Sequence, residues 1–278
     1  MPAIKDVFPP APTFTEAHLP DLSGKVGRQR RASLPNAKQL QVYIVTGSTS
    51  GVGLALAGIL YGKNATVYLA ARSLSKIQAC TAELQAASPQ SRGRLEYVVV
   101  DFNDLTTVKP AATAFLAKET RLDVLFNNAA VMNATGTTKQ GHEAHMGINC
   151  LGPHLFTTLL EPVLVRTAAS APAGSVRIVN TSSMISVSTP EGGIVWDEAA
   201  DRPAVRKSSM ETYMISKVGN VFLARDAAQR LGEQGVLAVS LHPGLMKTGL
   251  QQNNAKIVGI VMVRFPVLRA VRLACPPR

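Results

Sequence analysis

From residue 42 onward the chain alternates between short, unbroken apolar runs and longer stretches of mixed polarity. The runs fall at 42–46, 66–70, 95–100, 123–126, 175–180 and 236–241, and they are rich in β-branched residues. A run that is apolar at nearly every position is buried on both faces, as a central strand of a parallel sheet must be. The stretches between them, 51–61, 73–87, 106–120, 141–168 and 209–232, are of helix length. Strands alternating with helices predict an α/β fold, a doubly wound parallel sheet covered on both faces. Six such runs in about 200 residues fit one domain. No clear seventh strand follows, and no internal repeat is visible.

The two ends read differently. Residues 1–41 are proline-rich and aperiodic, which predicts an extended arm carrying a basic insertion. Residues 251–278 form a basic, apolar tail in which Pro266 breaks any long helix. These ends also dominate the charge. The 278-residue chain carries +11, yet segments 25–38 and 256–278 each hold five cations and no acid. The body is therefore close to neutral, which speaks against a nucleic-acid-binding surface.

The remaining composition narrows the class further. At 46% hydrophobic the chain can build a substantial core. Cys80, Cys150 and Cys275 show no paired spacing, so neither a disulfide framework nor a thiolate metal site is expected. The first residues contain no apolar signal core, and a cytoplasmic location is the expectation. The apolar run 257–263 is too short to span a bilayer before Arg264. The cationic tail could lie on an anionic membrane, but partial packing over the cleft is the favoured reading.

Candidate chemistry begins at the first strand. VYIVTGSTSGVG places Gly47, Gly51 and Gly53, with Ser50 among them, between a buried strand and an alanine-rich helix. Glycines there permit a tight turn and a close approach of backbone to a pyrophosphate, and the helix start offers unpaired amides. The second strand ends in Ala70, Ala71 and Arg72, without the acid that would bind a ribose 2′-hydroxyl. Arg72, helped by Ser73, can instead neutralise a 2′-phosphate, which favours NADP over NAD. Asp101 ends the third strand, where it could cap the next turn or meet an adenine amine.

The second half supplies further polar groups at strand ends. The fourth strand runs into Asn127 and Asn128, whose amides could line a cofactor cleft or hold neighbouring backbones. Asn149 lies inside a helical segment, a costly place unless its amide finds partners. The fifth strand ends at Ser182 and Ser183, on the side where open α/β sheets bind ligands. The sixth is followed by Pro243, Gly244 and Thr248, a loop that could cover a nicotinamide ring. Finally, YMISK puts Tyr213 and Lys217 on one helical face, where a cation favours a phenolate.

In this combination and order, TGSTSGVG, Asp101, NNAA, Asn149, VNTSS, YMISK and HPGLMKT, the chain resembles the short-chain dehydrogenase/reductase family over roughly 42–250. The resemblance implies a Rossmann fold and a dinucleotide-binding catalytic domain over 42–250. It implies Tyr213 as general acid–base, with Lys217 lowering its pKa and holding the cofactor ribose. Ser183, with Ser182 as runner-up, would donate to the carbonyl oxygen, and Asn149 would anchor a water of the proton relay. Asn127 and Ala129 would line the cofactor cleft, and Ala130 stands where the family usually has glycine.

The spacing of 30 residues between Ser183 and Tyr213 is wide and contains Trp196. That gap and the leader resemble retinol-dehydrogenase-like and fungal members. They imply a small apolar carbonyl or alcohol as substrate. In such members the leader runs straight into the first strand, whereas here 27–41 intervenes. The alternative function is a non-catalytic nucleotide-binding regulator that retains the fold.

Overall fold

The computed structural model describes residues 15–23, 40–204 and 208–244. Among the described residues six strands form one sheet: β1 (Val42–Thr46), β2 (Thr66–Ala71), β3 (Arg94–Val99), β4 (Val124–Asn127), β5 (Arg177–Thr181) and β8 (Leu237–Leu241). Between β5 and β8 a two-residue ribbon pairs β6 (Trp196–Asp197) with β7 (Arg202–Pro203). The sheet order is β3-β2-β1-β4-β5-β8, and every pairing is parallel. The order reverses between β1 and β4, which opens a crevice at the carboxyl ends of the strands. All six strands coincide with the apolar runs to within two residues.

Among the described residues five α-helices cover the sheet: α1 (Gly51–Gly62), α2 (Leu74–Ala87), α3 (Val108–Leu116), α4 (Ala144–Ala168) and α5 (Ser209–Leu231). Side chains alternate across a strand, so each strand feeds two cores. Val42 and Ile44 of β1 join Tyr68 and Ala70 of β2 beneath α3, α4 and the end of α5. Tyr43, Val45, Val67 and Leu69 pack on the opposite face against Ala57 and Leu60 of α1 and Ile77 and Leu84 of α2. Burying both faces accounts for the lack of polar alternation in the sequence.

Two local features were not expected. Residues 147–151 widen α4 into a π turn, in which the Gly152 amide reaches back to the Gly147 carbonyl. And part of the leader is docked: the Leu22 amide donates to the Lys63 carbonyl at 2.7 Å, and its carbonyl accepts from the Gln41 amide at 3.2 Å. Leu22 is buried in the α1/α2 core, while Asp21 accepts from Asn64 at 3.0 Å. Thus part of the expected arm belongs to the body. Thr248, the tail 251–278 and most of the insertion 27–41 lie outside the described residues.

Candidate active site

The glycine turn works through three different constraints. Gly47 has φ +66°, and a methyl group there would come within 2.8 Å of the Ala129 Cα. Gly51 opens α1 at φ +54°. Gly53 needs no unusual dihedral, but a methyl there would meet the Gly47 carbonyl oxygen at 2.4 Å. Its missing side chain lets α1 sit down on the turn, which directs the helix start toward the crevice.

Above this turn a cleft of about 280 Å³ runs from Arg72 and Asp101 at one end to Val131 and Ile148 at the other. Gly47, Ser50, Gly51 and Ala129 line it. Arg72 is exposed at its mouth, beside Ser73, whose hydroxyl caps α2 by accepting from the Lys76 amide. Asp101 lines the cleft with one oxygen accepting from the Asn103 amide at 3.0 Å. Of the two roles open to it, turn capping is therefore present in the fold. A glycine cradle, a helix start and a cation at the far end fit a phosphorylated dinucleotide.

Asn127 does not reach this cleft. It is buried, and its amide donates to Thr157 at 2.8 Å and to Asn180 at 3.0 Å, joining β4 to α4 and β5. Its neighbour Asn128 lines the cleft instead, donating to the Thr46 carbonyl at 3.0 Å. Thr46 is the hub that sequence reading missed. Its hydroxyl donates to the Phe126 carbonyl at 3.1 Å and accepts from the Asn128 and Ala129 amides, both at 2.9 Å. Ala130, in place of the usual glycine, has no positive φ, so its methyl costs no backbone strain.

The second cluster stands where β5 ends. Ser182 is buried, and its hydroxyl donates to the Lys217 carbonyl at 2.7 Å. Ser183 is half-buried; its hydroxyl accepts from the Ile185 amide at 3.4 Å, capping the short helix Met184–Ser188. Of the two hydroxyls, only that of Ser183 keeps its proton uncommitted among the described residues. Thr181 pairs with Leu241, so Pro243 and Gly244 leave the sheet at the same edge as Ser183.

Tyr213 and Lys217 are both buried on α5, at 6% and 3% exposure. The Lys217 ammonium donates to the Thr181 carbonyl at 2.9 Å and lies 5.6 Å from the centre of the Tyr213 ring. Burial pushes the Lys217 amine down to about 8. Burial also pushes the Tyr213 phenol up, opposite to the lowering that the resemblance implied. Desolvation is the leading cause in both cases.

Asn149 lies in the π turn with its whole amide engaged. Its oxygen accepts from the Val131 amide at 2.8 Å; its nitrogen donates to the Val131 carbonyl at 3.0 Å and to Ser216 at 2.9 Å. The side chain therefore bridges the end of the cleft to α5 and has no hydrogen left for a water.

Comparison with known proteins agrees with this architecture. The short chain dehydrogenase family model matches residues 41–197. A short-chain dehydrogenase/reductase of Phomopsis amygdali is 43% identical over 275 residues, covering 95% of this chain and 76% of that protein. The short-chain dehydrogenase/reductase pkfC of Emericella nidulans is 41% identical over 255 residues, covering 90% and 76%. Among solved structures, a short-chain dehydrogenase from Sphingobium yanoikuyae in complex with NADPH superposes with a TM-score of 0.60 at 21% identity, over 77% of this chain and 74% of that one. The RhlG/NADP active-site complex of Pseudomonas aeruginosa gives 0.59 at 24% identity, over 77% and 76%. The chain belongs to the short-chain dehydrogenase/reductase family of oxidoreductases, alongside its fungal members.

Proposed function

We propose that the protein is an NADP(H)-dependent oxidoreductase that interconverts a carbonyl and an alcohol on a lipophilic small molecule. The observation that carries this reading is the burial of Tyr213 and Lys217 together against the strand end that bears Ser183. A bound nicotinamide dinucleotide supplies the hydride acceptor or donor. The Tyr213 hydroxyl moves a proton to or from the substrate oxygen, and the Ser183 hydroxyl donates to that same oxygen. Lys217, anchored on Thr181, stands beside the Tyr213 ring and would hold the cofactor ribose. Arg72 holds the 2′-phosphate at the cleft mouth, and among the described residues no carboxylate engages its guanidinium.

The apolar character of the substrate is supported by the segment that follows Ser183. Val187 and Trp196 are 67% and 47% exposed, while Ile194 packs on the Met146, Cys150 and Ile215 cluster. Gly193 seats the segment on α5, since a methyl there would meet Val218 at 2.6 Å. Exposed apolar side chains on the segment after the serine suit a hydrocarbon-rich carbonyl better than a sugar.

Four proteins test the reading: wild type, Tyr213→Phe, Ser183→Ala and Arg72→Leu, each with NADPH and NADH and a panel of apolar aldehydes and ketones. Tyr213→Phe should abolish turnover while keeping the NADPH dissociation constant, and Ser183→Ala should lose about 10²–10³-fold in rate. Arg72→Leu should erase the preference for NADPH, a charge-assisted contact of about 1.5–3 kcal/mol. Turnover above a tenth of wild type in Tyr213→Phe, or an unchanged NADPH/NADH ratio in Arg72→Leu, overturns the corresponding assignment.

A further inference from the structure

Two side chains one helical turn apart on α4 face the helix that carries Tyr213. Asn149 is one rung, joining Val131 to Ser216. His145 is the other, and it is completely buried. Its Nε2 lies 3.2 Å from the Ala134 amide, and its Nδ1 lies 2.8 Å from Glu143 Oε1. A backbone amide can only donate, so Nε2 must accept and the ring proton must sit on Nδ1, donating to Glu143. The other Glu143 oxygen accepts from the Met146 amide at 2.9 Å, capping the start of α4. Burial pushes the Glu143 carboxyl up, but the hydrogen bonds from His145 and the Met146 amide outweigh it and leave it below the ordinary range. The carboxylate is thus a fixed acceptor, and neither ring nitrogen is left to exchange a proton.

What the ring still offers is its edge. The His145 and Tyr213 rings meet edge to face, with centres 6.2 Å apart and planes inclined by 66°. The loop that fixes His145 also fixes the helix opposite: Ser209, one turn before Tyr213, donates to the Ala134 carbonyl at 3.3 Å. A tyrosine ring pivots about two side-chain torsions, and α5 itself controls only the backbone. His145 and the Lys217 ammonium both meet the ring beyond that backbone.

We propose that His145, locked in one tautomer by Glu143 and the Ala134 amide, is a positioning residue that holds the Tyr213 ring where its hydroxyl meets the substrate oxygen. The proposal rests on the reading of Tyr213 as the proton-transferring group. His145 takes no part in proton transfer. It acts by denying the tyrosine ring alternative orientations, and a small displacement of a reacting group costs about 10²-fold in rate.

Two variants separate this role from a merely structural one. His145→Asn keeps a donor toward Glu143 but removes the ring. His145→Phe keeps the ring edge but removes both hydrogen bonds, and should be the less stable protein. Expected are a fall of about 10- to 100-fold in kcat for His145→Asn, with KM and the NADPH dissociation constant within about threefold of wild type. His145→Phe should retain more of kcat than His145→Asn despite melting lower. A kcat for His145→Asn within about threefold of wild type overturns the proposal. So does a ranking of the two variants in which activity simply follows melting temperature.

A readout independent of turnover keeps the two readings apart. The chain has five tyrosines. After labelling with 3-fluorotyrosine, the Tyr213→Phe variant identifies the Tyr213 fluorine resonance. In His145→Asn that resonance should shift and broaden. If it does so while wild type reduces no carbonyl in the panel, the positioning pair stands and the oxidoreductase reading falls. If the resonance is unmoved, the pair falls whatever the activity. Should His145→Phe fail to fold, the His145→Asn arms decide alone.

Discussion

Lys217 is the residue at which burial and chemistry conflict most. Its amine is pressed down to about 8 by desolvation, from an ordinary value near 10.5. The folded protein therefore binds fewer protons than the unfolded chain between those two values. Stability then rises with pH through that window, and the cost of burying the charge is present in full below it. Lys217→Met removes the titrating group, so wild type should gain thermal stability relative to the variant between about pH 8 and pH 10.5. Melting curves of both proteins at intervals across that range check this, and parallel curves would show that the amine is not desolvated. Above about pH 10 both proteins should lose stability together, because burial holds phenols such as Tyr213 protonated in the fold while unfolded tyrosines ionise. The same residue scale shows why one asparagine was assigned to the wrong place. Consecutive side chains at a strand end point to opposite faces, so Asn127 and Asn128 differ by one register step. The sequence holds both, and only the observed pairing of β4 with β1 and β5 decides which of them meets the cofactor cleft.

Among the elements, the turn from β1 into α1 bears the tightest constraint. A methyl at Gly53 would face the Gly47 carbonyl at 2.4 Å and the Asn128 amide nitrogen at 2.7 Å, and the carbonyl belongs to the backbone and cannot rotate away. Gly53→Ala should therefore cost about 1–3 kcal/mol of stability and weaken NADPH binding together. A variant that melts like wild type and binds NADPH equally well would show that α1 has slack against the turn. Elements of this kind were legible in advance because their causes are local: apolar runs for strands, glycines for a tight turn, a tyrosine and lysine four residues apart on one helix. Elements whose cause lies in a distant partner were not legible. The π turn around Asn149 exists because its amide serves Val131 and Ser216, 18 and 67 residues away. His145 gave no signal at all, since its worth depends on Tyr213 being brought beside it. The ribbon of Trp196 and Arg202 likewise has too short a pattern to be read.

At the scale of the molecule, the excess positive charge sits in sequence segments 25–38 and 256–278, and the rest of the chain is nearly balanced. The match to these two fungal relatives takes in 95% and 90% of this chain and 76% of each of theirs. The described leader closes on this body through Leu22, which hydrogen-bonds both Lys63 and Gln41. Residues 22 and 41 are therefore adjacent, whatever lies between them. Deleting residues 24–39, so that Ser23 joins Leu40, should leave the melting temperature and NADPH affinity unchanged and lower the net charge by five. A large loss of stability in that deletion would mean that the intervening chain packs on the domain. The same clasp bears on what can be grafted onto this protein. A loop whose ends are held together costs only about 0.6 kcal/mol more for each doubling of its length. The junction between Leu22 and Gln41 is thus a permissive port, where an epitope or a whole reporter domain could be threaded in and carried by the enzyme without the sheet registering the load.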